Sequence, residues 1–531
     1  MKRRISVLTL LCATLLASCQ LDDEMYSIYD VYYELAFVTD SSNSVLRSAA
    51  FLDSLAGRTD VELNVKGGFE YAASDIVRYG HCWGKGEVVP TINADETNCK
   101  YYNGTPSTGE TFTSLITGLE CETEYSVRSF VMTSDGKIGY NPKTLIVRTD
   151  TPHDKWFEAK DKEKIPFPVG RADGVHIETV VKNDTLTFFG MGRTGDNCFS
   201  DIWCYSSHQK TYEQVASVTT NTNETMKLWG AVGFGINYAE GTGERNLIYL
   251  GCGCTRATDF KLEDYNKKFF VYDIGTRKWD EVMYYGTDGM PAIMTPFQGQ
   301  PRTGGIGFSI REWGFVGLGE VKYGSMTTAL SDIYLFVMQK DNNGNYEPKR
   351  GYFNQMTEDF GFGARSGASV VVVDDMAYII GGKGNASGGE FIYYDDFISC
   401  KFTMPINSRP DSYTFTWPKS DKLKRLGEQF EGRFQGRAYA SAFNVGGVVF
   451  YGMGEGYDRD GNFVYFSDMI KYDNGKFLYC APYMNEDMEA SRVSRSFVVN
   501  GGDRAFVGGG AMPSADKDYT EYSYSQWVYR P

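Results

Sequence analysis

Short apolar runs ending in closely spaced glycines punctuate the last two thirds of the chain. They read Phe188-Phe189-Gly190-Met191-Gly192, Tyr249-Leu250-Gly251-Cys252-Gly253 and Phe315-Val316-Gly317-Leu318-Gly319. Ile379-Ile380-Gly381-Gly382, Phe450-Tyr451-Gly452-Met453-Gly454 and Phe506-Val507-Gly508-Gly509-Gly510 follow. With Gly190, Gly251, Gly317, Gly381, Gly452 and Gly508 as markers, the steps are 61, 66, 64, 71 and 56 residues. Runs this short, bounded by turn residues and rich in β-branched and aromatic side chains, predict strands. Recurrence predicts supersecondary units that bury their apolar faces only by stacking on one another.

Each repeat has the same parts. A first strand opens near an Arg or Gly, as in Arg365-Ser366-Gly367-Ala368-Ser369-Val370-Val371-Val372-Val373, and turns at Asp374-Asp375. A second strand ends at the glycines. A third carries Ser200-Asp201-Ile202, Ser331-Asp332-Ile333 or Ser467-Asp468-Met469, with Phe269-Phe270-Val271-Tyr272-Asp273 in the second repeat. A fourth carries an aromatic: Tyr212, Trp279 or Phe477. In the fourth repeat either Phe402 or Trp417 marks that strand, and 418–432 reads as an insertion.

This pattern resembles the kelch repeat of galactose-oxidase-like propellers. The resemblance implies an all-β fold over 151–531, with six blades. The sixth repeat stops at Ser525-Gln526-Trp527-Val528-Tyr529, its third strand. Lys155-Trp156-Phe157-Glu158 is expected to supply the fourth, so that an N-terminal strand closes the six-bladed kelch-type β-propeller and removes its free edges.

Residues 35–150 read as a separate small domain. Val61-Glu62-Leu63-Asn64-Val65 alternates as a half-buried strand does, and Ile76 to Trp83, Phe112 to Leu115, Thr123 to Arg128 and Thr144 to Thr149 follow. Gly80-x-Cys82-Trp83, Leu119 with Thr123-x-Tyr125-x-Val127-Arg128, and Val147-Arg148-Thr149 resemble a fibronectin type III-like sandwich. In that likeness Tyr125 is the corner tyrosine, and His81 is a structural strand residue.

The chain opens with Lys2, Arg3 and Arg4 and an apolar run from Ile5 to Leu16, the form of a signal peptide over 1–18. Leu16-Ala17-Ser18-Cys19 resembles a bacterial lipobox, which implies lipidation at Cys19. The acidic Gln20-Leu21-Asp22-Asp23-Glu24, within a tether over 19–34, is similar to surface-export tethers of Bacteroidota lipoproteins. The expected location is the outer membrane, lipid-anchored and surface-exposed.

A net charge of −15 with no basic block argues against nucleic acid as a partner. Nine cysteines follow Cys19, an odd number that leaves one unpaired within the chain. Cys252-Gly253-Cys254 has the look of a metal or redox pair. Neighbouring repeats place Met191, Leu318 and Met453 at the same turn, which favours a structural role. No metal or cofactor is expected.

Strand reversal puts the start of each first strand and the end of each second on one face. That face is expected to gather Arg171, Arg302, Arg365, Arg437 and Arg492 from the starts, with Arg193, Glu320, Lys383 and Glu455 just past the glycines. Guanidinium binds carboxylates in bidentate fashion, so the set is a candidate grip on an acidic or polyhydroxylated ligand. The same arginines also suit a structural role, bonding carbonyls of neighbouring repeats. Asp341 to Asn345 and Asp458 to Asn462 resemble pieces of calcium loops and read better as turns.

These features imply a surface lipoprotein that binds a glycan or other nutrient ligand beside an outer-membrane transporter. An enzyme of the sialic-acid mutarotase type, which uses a similar ring with arginines and an acid, and a protein-interaction scaffold are the alternatives. A copper oxidase is disfavoured because His153, His176 and His208 are the only histidines after 150. No catalytic residue is assigned.

Overall fold

The structure is a computed structural model. It describes residues 38–39, 45–46 and 49–531, apart from 60, 122, 151–153, 241–242, 287–294, 357–359, 387–389, 404–413, 417–422, 484–491 and 514–519. The signal peptide, Cys19 and the acidic tether lie outside the described residues, as do His153 and Trp417. The chain divides into two units, Met1–His153 and Asp154–Pro531.

The first unit contains, among the described residues, the two-stranded pair Val38–Thr39 with Val45–Leu46 and two larger antiparallel sheets. One contains Ala49–Arg58, Leu63–Ala72 and Thr111–Ile116. The other contains Leu145–Arg148, Glu124–Thr133, Ile76–Lys85 and Cys99–Asn103, with Ile138–Tyr140 beside Glu124–Thr133. Leu63, Val65, Tyr125, Val127 and Val147 meet in one apolar cluster. The Tyr125 hydroxyl accepts the Glu120 backbone N–H at 3.0 Å, tying strand to loop. His81 lies between Ser114, 2.8 Å from its Nδ1, and Asp53, 3.6 Å from its Nε2. This serine–histidine–aspartate arrangement is sealed inside the unit, and Asp53 also accepts from the Ser129 N–H, the Ser129 hydroxyl and the Asn141 amide. It is a buried polar network rather than an accessible nucleophile.

The second unit contains, among the described residues, six antiparallel sheets built on one plan. Consecutive strands pair in order, as in Val175–Val181, Asp184–Gly190, Ile202–Ser206 and Thr211–Val215. The inner strands of the other five are Val232–Glu240, Ile306–Ile310, Ser369–Val373, Ser441–Val445 and Phe497–Asn500. The last sheet takes its outer strand from the front of the unit: Lys155–Glu158 pairs with Gln526–Arg530, Trp156 opposite Tyr529.

Strand alternation explains why the sheets need one another. Phe188 packs with Ile248 and Leu250 of the second sheet, whereas the next residue, Phe189, packs with Phe497 and Phe506 of the sixth. Tyr249 and Val271 turn to Val316 and Phe336 of the third sheet. The same relation joins sheets three and four, four and five, and five and six. Each sheet thus buries both faces. Each fully buried Phe or Val contributes roughly 1.5–3 kcal/mol that an isolated sheet would forgo.

In the fourth sheet Phe402 falls in the third strand, Asp396–Thr403, and the outer edge is divided between Thr414–Thr416 and Lys424–Arg425. The stretch expected as an insertion includes a short helix, Leu426–Gln429, whose Leu426 enters the core with Phe430.

The glycine turns have one geometry. The middle residue is left-handed whatever its type: φ is 55° at Met191, 57° at Cys252, 54° at Leu318 and 60° at Met453. The last position is glycine in all six, with φ near 90°, where a Cβ would strike the carbonyl of Ala172, Trp229, Thr303, Ser366, Ala438 or Ser494. Glycine is therefore required at the third position and optional at the middle one, while at the first a Cβ would strike the carbonyl of Asp201 at Gly190 or of Asp468 at Gly452. Ile380, not Gly381, opens the fourth turn.

Candidate functional site

Four of the expected site arginines are interior residues. Arg171, Arg302, Arg365 and Arg437 are each at most 1% exposed. Arg302 forks onto Asp332 at 2.8 and 3.0 Å, Arg365 onto Asp396 at 2.6 and 3.0 Å, and Arg437 onto Asp468 at 2.6 and 3.1 Å. Arg171 meets Asp201 at 2.6 Å. Each also donates to the carbonyl inside its own glycine turn: Met191, Leu318, Gly381 or Met453. Aromatic rings cover the guanidinium groups, as Phe434 and Phe466 do for Arg437 at 3.7 and 4.1 Å. The expectation that these residues face a ligand is corrected here: aspartates, carbonyls and rings engage the edges and faces of Arg302, Arg365 and Arg437, and Arg171 is buried against Asp201, Phe167 and Phe199. The Ser-Asp-Ile and Ser-Asp-Met motifs supply the other half of three of these pairs, and Asp396 of Asp395-Asp396-Phe397 that of the fourth.

Arg492 is corrected too. Val493 occupies the equivalent position in the sixth sheet and is buried, while Arg492 is exposed. The second sheet has Leu228 there. Opposite these apolar residues the aspartate is also replaced, by Lys268 and Ser525.

The other expected residues do converge. Glu320, Lys383 and Glu455, with Arg193, follow the last glycine of their turns and bridge back to the starts of the inner strands. There they meet three residues that the repeat pattern did not single out: Asp173, Tyr439 and Arg495. These sit two positions beyond the repeat arginine or its substitute. Their counterparts are Gly230, Gly304 and Gly367, and all six are left-handed, with φ between 53° and 62°. Backbone bonds link most of them in sequence: Asp173 N–H to Arg495 carbonyl, Arg495 to Tyr439, Tyr439 to Gly367 and Gly367 to Gly304. The available signal was the departure from glycine. A charged or aromatic residue forced into a left-handed slot is strained, so something else must hold it.

What holds them is an alternating chain of charge. Arg193 Nε donates to Asp173 at 2.8 Å, and Arg495 reaches the other oxygen of Asp173 at 2.8 Å. Arg495 forks onto Glu455 at 2.8 and 3.2 Å, and Ser494 adds a bond to Glu455 at 3.0 Å. Glu320 accepts from Ser366 at 2.7 Å and from the Tyr439 hydroxyl at 3.3 Å. Lys383 is held more loosely, 3.9 Å from Glu455 and 4.0 Å from Glu320. Three cations face three carboxylates, so the cluster is neutral.

Burial alone would push Asp173 up, but Arg495 and then Arg193 outweigh it and hold the carboxyl down at about 2. The Tyr439 phenol is pushed well above its usual range by burial and by Glu320.

Tyr439 and Arg495 also cap a channel. The six inner strands line a cavity of about 600 Å³. Tyr439 lies over Gly367 and Gly304, where a Cβ would come within 2.8 and 2.9 Å of it. Arg495 stacks on its ring at 3.5 Å. Deeper in the channel His176 and Glu178 share one strand face. Burial lowers the His176 imidazole and raises the Glu178 carboxyl, the latter opposed by a bond from Asn500.

The candidate calcium loops are turns: Asp458 accepts the N–H groups of Asp460 and Asn462, and Asp341 those of Asn343 and Asn345. Cys252 is buried in its turn and, like Cys254 beside it, is a free thiol.

No family model matches the chain, and no curated protein matches it. Among solved structures it is similar to one titled "Structure of YjhT", at 14% identity and a TM-score of 0.42, over 68% of this chain and 94% of that one. A likeness of that degree says nothing of what this chain binds.

Proposed function

We propose that the chain is a lipid-anchored protein of the cell surface that binds a glycan as an accessory to an uptake system, without turning it over. In this reading the first unit is a fibronectin type III-like spacer. The second is a six-bladed kelch-type β-propeller closed by Lys155–Glu158, and the charged cluster above Tyr439 is the ligand mouth. Six sheets that each bury both faces against their neighbours support the propeller. The Leu16-Ala17-Ser18-Cys19 sequence supports the anchor.

The observation that carries the binding function is the loosely held Lys383 between Glu320 and Glu455. Its side chain is 12% exposed, and its ammonium sits beyond hydrogen-bond distance of both carboxylates. A hydroxylated ligand can take a bond from the lysine and give one to either carboxylate without breaking an ion pair already made. By contrast, the fork between Arg495 and Glu455 is complete.

The test uses the chain without its first 18 residues in native gels containing soluble polysaccharides. The expected result is retardation by at least one of them, reduced several-fold by Lys383→Met, with no product released. A chain that migrates equally in every gel refutes glycan binding. Retained fatty-acid labelling after Cys19→Ser refutes the anchor.

A further inference from the structure

Two ribbons rise from the charged cluster. One is Lys383–Asn385 with Phe391–Tyr393, and the other is Glu455–Tyr457 with Phe463–Tyr465. In the first, Lys383 stands directly opposite Tyr393. In the second, Glu455 stands opposite Tyr465, and Tyr457 opposite Phe463. Directly opposed and alternate residues of an antiparallel pair share a face. Each ribbon therefore has a charged residue and a tyrosine paired at its base, Lys383 with Tyr393 and Glu455 with Tyr465, and the second carries Tyr457 and Phe463 on the same side toward its tip.

The rings of the two ribbons meet. Tyr393 is 5.5 Å from Tyr457, edge to face, and 6.3 Å from Phe463, and Tyr457 is 5.9 Å from Phe463. Tyr457 is 46% exposed and Phe463 49%. Large rings left half open and packed into one cluster are unusual on a surface and mark a contact site. Tyr393 ties this platform to the cluster below. Burial, then the nearby Glu455, raises its phenol. Among the described residues its hydroxyl has no protein partner.

We propose that Tyr393, Tyr457 and Phe463 form a stacking subsite for a pyranose unit of a neutral glycan, whose next unit reaches Lys383 and Glu455. The inference rests on the glycan-binding reading and narrows it. A pyranose offers an apolar face to an aromatic ring and a rim of hydroxyls, each both donor and acceptor. That chemistry matches open rings beside the Lys383 ammonium, which lies beyond hydrogen-bond distance of its two carboxylates. An acidic glycan is disfavoured because Asp173, Glu320 and Glu455 already balance Arg193, Lys383 and Arg495. A charged ligand would leave one of these groups uncompensated in a partly buried site.

The test is affinity electrophoresis and calorimetry on the full mature chain. Neutral probes are amylopectin, xylan, mixed-linkage β-glucan and yeast mannan. Acidic probes are polygalacturonate, heparin and polysialic acid, and a tryptic digest of casein serves as a peptide probe. The expected result is binding to a neutral probe, weakened at least about tenfold by Tyr457→Ala with Phe463→Ala. Tyr457→Phe with Phe463→Trp should retain it, and thermal midpoints should show that both variants are folded.

Failure has separate forms. A wild-type chain that binds no polysaccharide sinks both this inference and the reading beneath it. Neutral-glycan binding that survives the double alanine change sinks the platform alone. Binding confined to acidic probes, or to the peptide digest, overturns the assignment to a neutral glycan.

Discussion

Two sets of ion pairs in the second unit are made from the same residue types and do opposite things. Under the glycine turns, Arg302, Arg365 and Arg437 each fork onto one aspartate and donate to one carbonyl, sealed by rings. In the charged cluster at the starts of the inner strands, Arg495 divides itself between Asp173 and Glu455, and Lys383 lies at the edge of contact with two carboxylates. The first set is saturated and repeats by position. The second is open-ended and breaks the repeat. A guanidinium counted from sequence as a ligand grip is one only when its own neighbours leave a bond unmade.

The sheets without a buried pair sharpen the contrast. Where the arginine becomes Leu228 or Val493, the aspartate becomes Lys268 or Ser525. The pair is thus exchanged as a unit, as expected when an isolated partner is costlier than none. Asp396→Ala should therefore have the largest effect, destabilising by about 3–5 kcal/mol by leaving Arg365 buried without its counter-charge. The double change Arg365→Val with Asp396→Ser copies the sixth sheet and should recover at least half of that. Urea unfolding read by tryptophan fluorescence checks both. A double variant no better than the single would show that the arginine also supports the turn through its carbonyl bond.

The charged cluster should respond to acid through Asp173. Asp173 is held at about 2, below the ordinary 3.8. Its contribution is complete above about pH 4 and is lost as pH falls through about 2. Arg495→Met removes the larger of the two charges holding it down. The variant should be less stable than wild type by about 2 kcal/mol near neutral pH, with the gap closing between pH 4 and 2. A gap that stays constant over that window would mean that Arg495 acts through its stack on Tyr439 rather than through Asp173.

Local demands were the legible part of the sequence. Glycine at the end of each turn and alternation in the strands state requirements of a few residues, so the sheet count and the Lys155–Glu158 partner could be read directly. Pairings across about 30 residues were not legible. Ser-Asp-Ile was visible as a motif, and the repeat arginines were visible as residues, but nothing local says that one neutralises the other. The charged cluster is half legible. Glu320, Lys383, Glu455 and Arg193 follow a marker. Asp173, Tyr439 and Arg495 do not, because they occupy a slot whose rule is glycine and whose exceptions carry the chemistry.

Arg492 shows how close that error was, and it gives the smallest effect. It was aligned with the repeat arginines by residue type. The strand register instead aligns Val493, since Ser494 bridges Ala511 as Ser366 bridges Lys383. One residue of slip on an extended strand reverses the side chain, turning an interior position into an exposed one. Arg492→Ala should leave the unfolding midpoint and polysaccharide retardation unchanged, where Arg365→Ala costs several kcal/mol. If Arg492→Ala instead weakened retardation with no loss of stability, the ligand would have to reach the start of the sixth inner strand. The mouth would then extend past the Glu455 ribbon, and the division between saturated pairs and an open cluster would need a third class: an exposed arginine, without a partner among the described residues, that engages the ligand directly.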